Sequence, residues 1–150
     1  MIVFPDGRTA VAYALHLAEA TSRETEFPGL RIGVHAGSAL YREADYLGAT
    51  VNIAARVTSL AGRGELIVTD AVHRQAADLV DAWHELAAQR LKGVSDPIDL
   101  HVAALSKAPH PIDPVCGMVV DPATAVAGDG PERFCSAECR DRFETLPSRD

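Results

Sequence analysis

A proline-rich stretch divides this chain into two parts of unequal size. Residues 106–114 contain Pro109, Pro111 and Pro114, a composition typical of a linker. We therefore predict a larger domain over residues 1–106, a linker over 107–114 and a small module over 115–150. All three cysteines of the 150-residue chain lie in that small module. A unit of this size cannot bury a large apolar core, and such units usually depend on a metal or another crosslink.

Composition limits the classes of function. The net charge of −7 argues against a nucleic-acid-binding surface. No apolar run approaches the roughly 20 residues that a membrane span requires, and the amino terminus lacks the basic and apolar segments of a secretory signal. We therefore expect a cytoplasmic protein without a membrane span. An odd number of cysteines in a reducing compartment favours a metal or redox role over a disulfide framework.

The larger part alternates between helical and strand patterns, which predicts an α+β fold. Leu30–Leu40 alternates apolar and polar residues and is predicted as a strand, and Thr50 is the expected N-cap of a helix that ends at Leu60. The other predicted elements are a strand end at Ile2–Phe4, a helix over Ala10–Thr21 that opens at Thr9, a polar connection over Tyr41–Gly48, a buried strand at Leu66–Val68, a helix over Asp70–Asp78, and strands over Trp83–Lys92 and Ile98–Ala104.

Two polar residues stand out on the otherwise apolar helix after Thr50. Asn52 and Arg56 are four residues apart, so they share one helix face. The guanidinium of Arg is a planar set of donors suited to phosphate, and the Asn amide both donates and accepts. This spacing fits a nucleotide site. It also fits a surface Arg beside an Asn that bonds a neighbouring loop, and spacing alone does not separate the two interpretations.

The blocks around this helix resemble the class III adenylate and guanylate cyclase domain. LRIGVHAG, DYLGATVNIAARV, GRGELIVTDAV and RLKGVSDPIDL occur in that order, and the resemblance covers about Met1–Leu105. It implies an incomplete ferredoxin-like (βαββαβ-type) domain with an antiparallel sheet and helices. It also implies intracellular signalling by conversion of ATP to cyclic AMP and pyrophosphate, with Mg²⁺ or Mn²⁺ as cofactor.

The resemblance assigns a role to each matching residue. Asn52 corresponds to the asparagine that orients the ribose, and Arg56 to the arginine that stabilises the transition state at the α-phosphorus. Asp45 corresponds to the acidic residue that reads the adenine amino group, and Lys92 to the lysine that meets the triphosphate tail. Without the resemblance, Asp45 is equally a loop-capping residue and Lys92 an exposed lysine at a strand end.

The resemblance also implies what the sequence does not contain. Members of the family hold their two metal ions with two aspartates, one in a Gly-Asp-x-x-Met hairpin. The sequence MIVFPD corresponds to the segment beginning at that Met, and Asp6 is a turn residue and a poor substitute. In this family the metal half and the Asn/Arg half of each site come from different subunits. We therefore expect a truncated domain that is inactive alone and completes a site in a homo- or heterodimer.

Two alternatives remain open at this point. The chain is equally consistent with a non-catalytic protein that senses nucleotide or metal, or that dimerises for signalling. It is also consistent with a start codon further upstream, which would make the natural protein a complete cyclase.

The cysteine-containing module shows a second resemblance. The blocks DPVCGM (Asp113–Met118) and FCSAEC (Phe134–Cys139) resemble the YHS domain, a TRASH-like metal-binding module. This implies a small treble-clef-like unit in which Cys116, Cys135 and Cys139 bind Zn²⁺ or Cu⁺, metals that suit thiolate ligands. The fourth ligand is not identifiable, and a degenerate module with three free buried thiols is the alternative. The histidines form no metal-ligand spacing and are predicted as structural or solvated: His16, His35, His73, His84, His101 and His110.

Overall fold

A computed structural model describes residues 1–25, 27–105 and 110–145. Its helices are α1 (Gly7–Thr21), α2 (Ala49–Leu60), α3 (Asp70–Ala76) and α4 (Ala137–Glu144), with a 3₁₀ turn at Ala77–Leu79. Its strands are β1 (Arg31–Val34), β2 (Leu40–Arg42), β3 (Asp45–Leu47), β4 (Glu65–Thr69), β5 (His84–Gln89), β6 (Ile98–Ala104), β7 (Val126–Ala127) and β8 (Arg133–Phe134). None of these helices is both long and apolar enough to cross a membrane.

The main sheet has four strands in the order β1-β4-β6-β5. β1 and β4 run parallel, whereas β6 is antiparallel to both β4 and β5. The predicted α+β class is confirmed, but the prediction of an antiparallel sheet is wrong at one edge, because the sheet is mixed. Helix α2 links β1 to β4 as a crossover, and a crossover is the connection that parallel neighbours require.

Strand β4 lies at the centre of the fold and is covered on both faces. Leu66 and Val68 point to one face, where they pack with α1 and α3. Ile67 points to the opposite face and packs with Val57 of α2 and Leu100 of β6. The prediction of a buried strand at this position is confirmed. Two helical layers therefore enclose the sheet, and α2 is the helix that occupies the second face.

The first residues differ from the predicted strand end. Residues 1–4 form no strand, and Met1, Ile2 and Val3 are exposed, since no described strand pairs with them. Helix α1 starts at Gly7 rather than after Thr9. Its N-cap is Asp6, whose Oδ1 accepts the backbone N–H of Thr9 at 2.7 Å, the usual capping bond of an aspartate.

The predicted polar connection after β1 is a β-hairpin instead. The pattern over Leu30–Leu40 predicted one long strand, but β1 ends at Val34, and the chain then forms β2 and β3 as an antiparallel pair. The turn residues Glu43 and Ala44 both have positive φ. Such a turn usually contains Asn or Gly. Because Glu and Ala occupy these positions, residue type does not predict the hairpin.

Helix α2 begins slightly earlier than predicted and lies directly on β1. It starts at Ala49 with Gly48 as N-cap, and Thr50 lies inside it, where its hydroxyl donates to the Ser38 carbonyl at 2.6 Å. Gly33 of β1 lies so close to α2 that an added Cβ would overlap the backbone of Thr58. The absence of a side chain at Gly33 therefore allows the helix to lie directly on the strand.

The described part of the cysteine module packs against the connection between α1 and β1. The N–H of Gly29 donates to the carbonyl of Gly117, and the N–H of Val119 donates to the carbonyl of Phe27, both at 2.7 Å. Gly117 has φ +74°, and an added Cβ there would overlap the side chain of Arg63. Within the stretch predicted as a linker, residues 107–109 lie outside the described residues, and Ile112 forms an isolated β-bridge with Val119.

A buried carboxylate organises this module. Asp113 is fully buried, and its Oδ1 accepts the backbone N–H groups of Val115 (2.7 Å) and Cys116 (3.1 Å). Its Oδ2 accepts the N–H of Cys135 at 2.8 Å, which joins two distant segments. Burial by itself raises the pKa of this carboxyl, but the hydrogen bonds from Cys135, Val115 and Cys116 outweigh it and lower the pKa to about 2.

The contact between β1 and α2 predicts the effect of a single methyl group. Gly33→Ala should destabilise the protein by about 3 kcal/mol, because the methyl group would overlap backbone that cannot easily move. The measurement is the urea midpoint followed by circular dichroism. Gly93→Ala is the control: its φ is +77° but nothing lies near its Cβ, so it should lose only about 1 kcal/mol. Equal midpoints for the two variants would contradict the close packing of α2.

The Asp113 network predicts an acid-sensitive module. The folded-state pKa of about 2 lies below the ordinary value of 3.8. The stabilisation is therefore complete above about pH 4 and is lost as pH falls through 2, and it amounts to about 2 kcal/mol. Asp113→Asn should lose a similar amount at pH 7 and flatten the stability profile below pH 4. The exposed Asp129→Asn is the control, and a profile for Asp113→Asn that matches it would rule out this role.

Candidate functional site

The predicted pair on α2 is available for a ligand. Asn52 is exposed and Arg56 half-buried, and the next residue, Val57, is completely buried against the sheet. Neither the Asn52 amide nor the Arg56 guanidinium donates or accepts a hydrogen bond with another described residue. The interpretation in which Asn52 bonds a neighbouring loop has no support among these residues. The helix is thus fixed through Val57, and its two polar side chains remain uncommitted.

Asp45 and Lys92 lie on different elements from the Asn52/Arg56 pair. Asp45 opens β3, the strand just before α2, and is exposed. Its Oδ1 accepts the N–H of its neighbour Tyr46 at 2.8 Å, a local contact of the kind expected for a loop-capping residue. Lys92 lies in an exposed turn after β5, and its neighbour Leu91 packs in the same cluster as Val57. The structure therefore brings Lys92 to the α2 side of the sheet.

The described residues bring together no group of three or more carboxylates that would suit magnesium ions. Asp6 is already committed as a helix cap, and its hydrogen bond with the backbone of Thr9 lowers the pKa of its carboxyl. Within the described ranges, groups of three or more potential metal ligands occur at two places, one around the cysteines and one around Asp70. Neither consists of the oxygen ligands that Mg²⁺ prefers.

The three cysteines meet at one point. Cys116 arrives from a tight turn, Cys135 follows β8, and Cys139 lies in the first turn of α4. The Sγ atom of Cys135 lies 3.6 Å from that of Cys116 and 3.7 Å from that of Cys139. Zinc–sulfur bonds of about 2.3 Å in a tetrahedron place sulfurs about 3.8 Å apart. The observed spacing is therefore close to that of a preformed thiolate site.

The environment of Cys135 and Cys139 raises the pKa of both thiols. Desolvation and the neighbouring Asp113 raise the pKa of Cys135 to about 12. Burial likewise raises the pKa of Cys139. Crowded thiols beside a carboxylate cannot ionise together without a compensating positive charge. A soft cation would supply that charge while displacing the thiol protons.

Asp113 is a further residue of this site, and the sequence motifs did not predict its role. Its carboxylate lies within 4.8 Å of the three sulfurs, so it belongs to the same cluster. Both of its oxygens already accept backbone N–H groups, including those of Cys116 and Cys135. Asp113 thus positions the two cysteine-bearing segments. The signal was an Asp followed by Pro just before a Cys, a sequence that favours a side-chain-capped turn.

Comparison with known proteins supports the cyclase resemblance of the larger domain. The chain is similar to the pH-sensitive adenylate cyclase of Mycobacterium tuberculosis, with 35% identity over 104 residues, which is 67% of this chain and 26% of the relative. It is also similar to the adenylate cyclase of Streptomyces griseus, with 39% identity over 70 residues, 47% of this chain and 18% of the relative. The chain thus spans about a quarter or less of the length of these relatives.

A solved structure agrees with the sequence relatives. The fold is similar to that of the adenylate/guanylate cyclase/hydrolase from Silicibacter pomeroyi, with a TM-score of 0.60 and 29% identity over 66% of this chain and 63% of that one. No family model matches the chain. The relatives and the solved structure together support a cyclase-type domain.

Proposed function

We propose that the larger part of the chain supplies the Asn/Arg half of a site that converts ATP to cyclic AMP and pyrophosphate. The observation that carries this proposal is that α2 is fixed against the sheet while its two polar side chains remain unbonded. Asn52 and Arg56 share a face of a helix that is fixed by buried Val57, and neither side chain bonds to another described residue. Keeping two such polar groups free while their helix is immobile is the arrangement that a preorganised ligand site needs.

The chemistry assigns each residue a part. The 3′-hydroxyl of ATP attacks its own α-phosphorus in line, and charge builds up on the phosphate oxygens. Arg56 would donate to those oxygens, and Asn52 would hold the ribose so that the hydroxyl faces the phosphorus. Lys92, on the α2 side of the sheet, would meet the triphosphate tail. Asp45 would accept a hydrogen bond from the adenine amino group through Oδ2, the carboxylate oxygen that does not bond the N–H of Tyr46.

The metal-binding half of the site would come from elsewhere. The described residues hold no cluster of oxygen ligands suited to Mg²⁺ or Mn²⁺. Carboxylates on a partner subunit, or on residues outside these 150, would therefore hold those ions. This makes the proposed active form a homo- or heterodimer in which α2 faces the partner. The chain as given is expected to be inactive alone.

The half-site proposal is tested by complementation. The purified chain with Mn²⁺ and ATP should produce no detectable cyclic AMP. Mixing it with a full-length class III cyclase whose own transition-state arginine has been replaced should restore activity, because the chain donates Arg56. With Arg56→Ala the restored rate should fall by about 10³-fold, the scale reported for a phosphate-stabilising arginine. The exposed Arg23→Ala is the matched control and should restore activity fully.

Two outcomes would contradict the half-site proposal. One is robust turnover by the chain alone that vanishes in Arg56→Ala, because the chain would then contain a whole site. The other is a stable mixed dimer, verified by size-exclusion chromatography, that restores no activity.

A second function is supported by the cysteine cluster. We propose that the cysteine module binds one Zn²⁺ or Cu⁺ ion through Cys116, Cys135 and Cys139, in the manner of a YHS-type module fused to the cyclase-type domain. The 3.6 and 3.7 Å separations between sulfurs support a thiolate site rather than three free thiols. If the cyclase proposal fails, this site alone would make the chain a metal-sensing protein.

The thiolate site is tested with cobalt as a spectroscopic substitute for zinc. The full chain should take up one thiolate-bound Co²⁺ with a sulfur-to-cobalt charge-transfer band. Replacing the three cysteines by Ser should remove the band, whereas Asp129→Asn, in an exposed loop of the module, should keep it. Binding should tighten as pH rises, because the pKa of Cys135 is raised to about 12 and the proton must leave. An unchanged metal content in the cysteine-free variant would rule out thiolate ligation.

A further inference from the structure

A second cluster of potential metal ligands lies where α3 meets β6. Asp70 is the first residue of α3, His73 lies three residues further along the same helix, and His101 lies in the middle of β6. One ligand atom from each of the three side chains lies within 4.8 Å of the others. The imidazole rings of His73 and His101 stack with centroids 3.8 Å apart, nearly parallel. The sequence offered no hint of this cluster, because 28 positions separate the two histidines.

The stacked rings favour neutral imidazoles. Burial lowers the pKa of His73, and the proximity of His101 lowers it further, although Asp70 opposes this effect. Two imidazolium ions at van der Waals distance would repel each other strongly. The lowered pKa favours the neutral form of His73, which presents a nitrogen lone pair and is the form in which histidine ligates metals.

His101 has an unmet bonding requirement at this site. Its side chain is only 13% exposed, and Nε2 lies 3.4 Å from Oδ1 of Asp70. Nε2 is itself inaccessible, and it forms no hydrogen bond within the described residues. Arg74 donates to the other oxygen of Asp70, Oδ2. Oδ1 is therefore left facing the imidazole nitrogen without a well-formed bond, and an atom that binds both groups would satisfy them.

We propose that Asp70, His73 and His101 form a binding site for a divalent transition-metal ion of the zinc type. Imidazole and carboxylate ligands hold Zn²⁺ at about 2.0–2.2 Å, so ligand atoms in a tetrahedron around one ion lie about 3.4 Å apart. Nε2 of His101 and Oδ1 of Asp70 already lie 3.4 Å apart, and one ligand atom from each of the three side chains lies within 4.8 Å of the others. Side-chain rotation, mainly of His73, would complete the coordination. Three protein ligands leave one coordination position for water or another small ligand.

This site is separate from both functions proposed above. His101 pairs with Val68 across the sheet, so its side chain lies on the face that α1 and α3 cover. Helix α2, which carries Asn52 and Arg56, packs on the opposite face. A metal bound here would tie the first turn of α3 to β6. It would act as a crosslink within the larger domain, so the proposal does not depend on the cyclase assignment.

The single tryptophan of the chain reports directly on this site. Trp83 packs edge-on against His73, with ring centroids 5.3 Å apart. Ni²⁺ bound to His73 should therefore quench the fluorescence of Trp83. We expect saturable quenching in the untagged full chain and also in the Cys116→Ser/Cys135→Ser/Cys139→Ser variant, because the cysteine site is not involved.

Variants separate this site from adventitious binding. His101→Gln should weaken quenching by Ni²⁺ at least tenfold, and Asp70→Asn, which keeps size and shape, should also weaken it. The exposed His16→Gln on α1 is the matched control and should behave as wild type. Zn²⁺ should raise the Tm of the wild-type chain, since it binds only the folded form, but should raise that of Asp70→Asn less.

The overturning results are equally definite. Quenching that does not saturate, or that has the same midpoint in wild type, His101→Gln and Asp70→Asn, would show that the stacked histidines are purely structural. If circular dichroism shows that His101→Gln is unfolded, the comparison of wild type with Asp70→Asn decides the matter. Equal Zn²⁺-induced Tm shifts in those two proteins would overturn the proposal.

Discussion

The fold depends on the burial of β4 on both of its faces. A strand with apolar side chains on each face is stable only when both faces are covered. Leu66 and Val68 require α1 and α3, and Ile67 requires α2. β4 pairs with β1 on one side and with β6 on the other, so it also sets the register of both strands. Helix α2 lies on β1, and β6 carries His101. The Asn/Arg helix and the histidine cluster therefore lie on opposite faces of one strand.

The elements that sequence reasoning predicted well are those whose pattern follows from burial. The buried strand at Leu66–Val68 and the helix that carries Asn52 and Arg56 have apolar residues at the periodicity of their structure, and β6 has the predicted bounds. The elements that it missed depend on local backbone chemistry. Helix α1 is capped by Asp6 and not opened at Thr9 as predicted. Glu43 and Ala44 form a tight turn although these residue types rarely adopt positive φ. No hydrophobic pattern encodes either feature.

The sites show the same division. The spacing of Asn52 and Arg56, and of Cys135 and Cys139, lies within one helical turn or its cap, so sequence could place each pair. Asp113 and His101 act across the fold. Asp113 joins Cys116 to Cys135, and His101 meets His73 only because β6 pairs with β4 in one register. The Asp-Pro sequence indicates the turn at Asp113, but the bond from Asp113 to Cys135 and the meeting of the two histidines follow from tertiary structure and have no local signal in the sequence.

The joint between the two parts of the chain is made largely of main-chain hydrogen bonds. Gly29 bonds Gly117, and Val119 bonds Phe27, through backbone N–H and C=O groups. Every residue carries both groups except proline, which lacks the N–H. These bonds do not depend on the side chains of Phe27 and Val119, although the side chain of Val119 is itself buried. Gly117 is the exception, because its φ of +74° is a conformation that residues with a side chain rarely adopt, and a side chain there would also have to displace Arg63. A cysteine module transplanted from another protein would need to match this backbone edge, keep that glycine and bury an apolar side chain at the position of Val119.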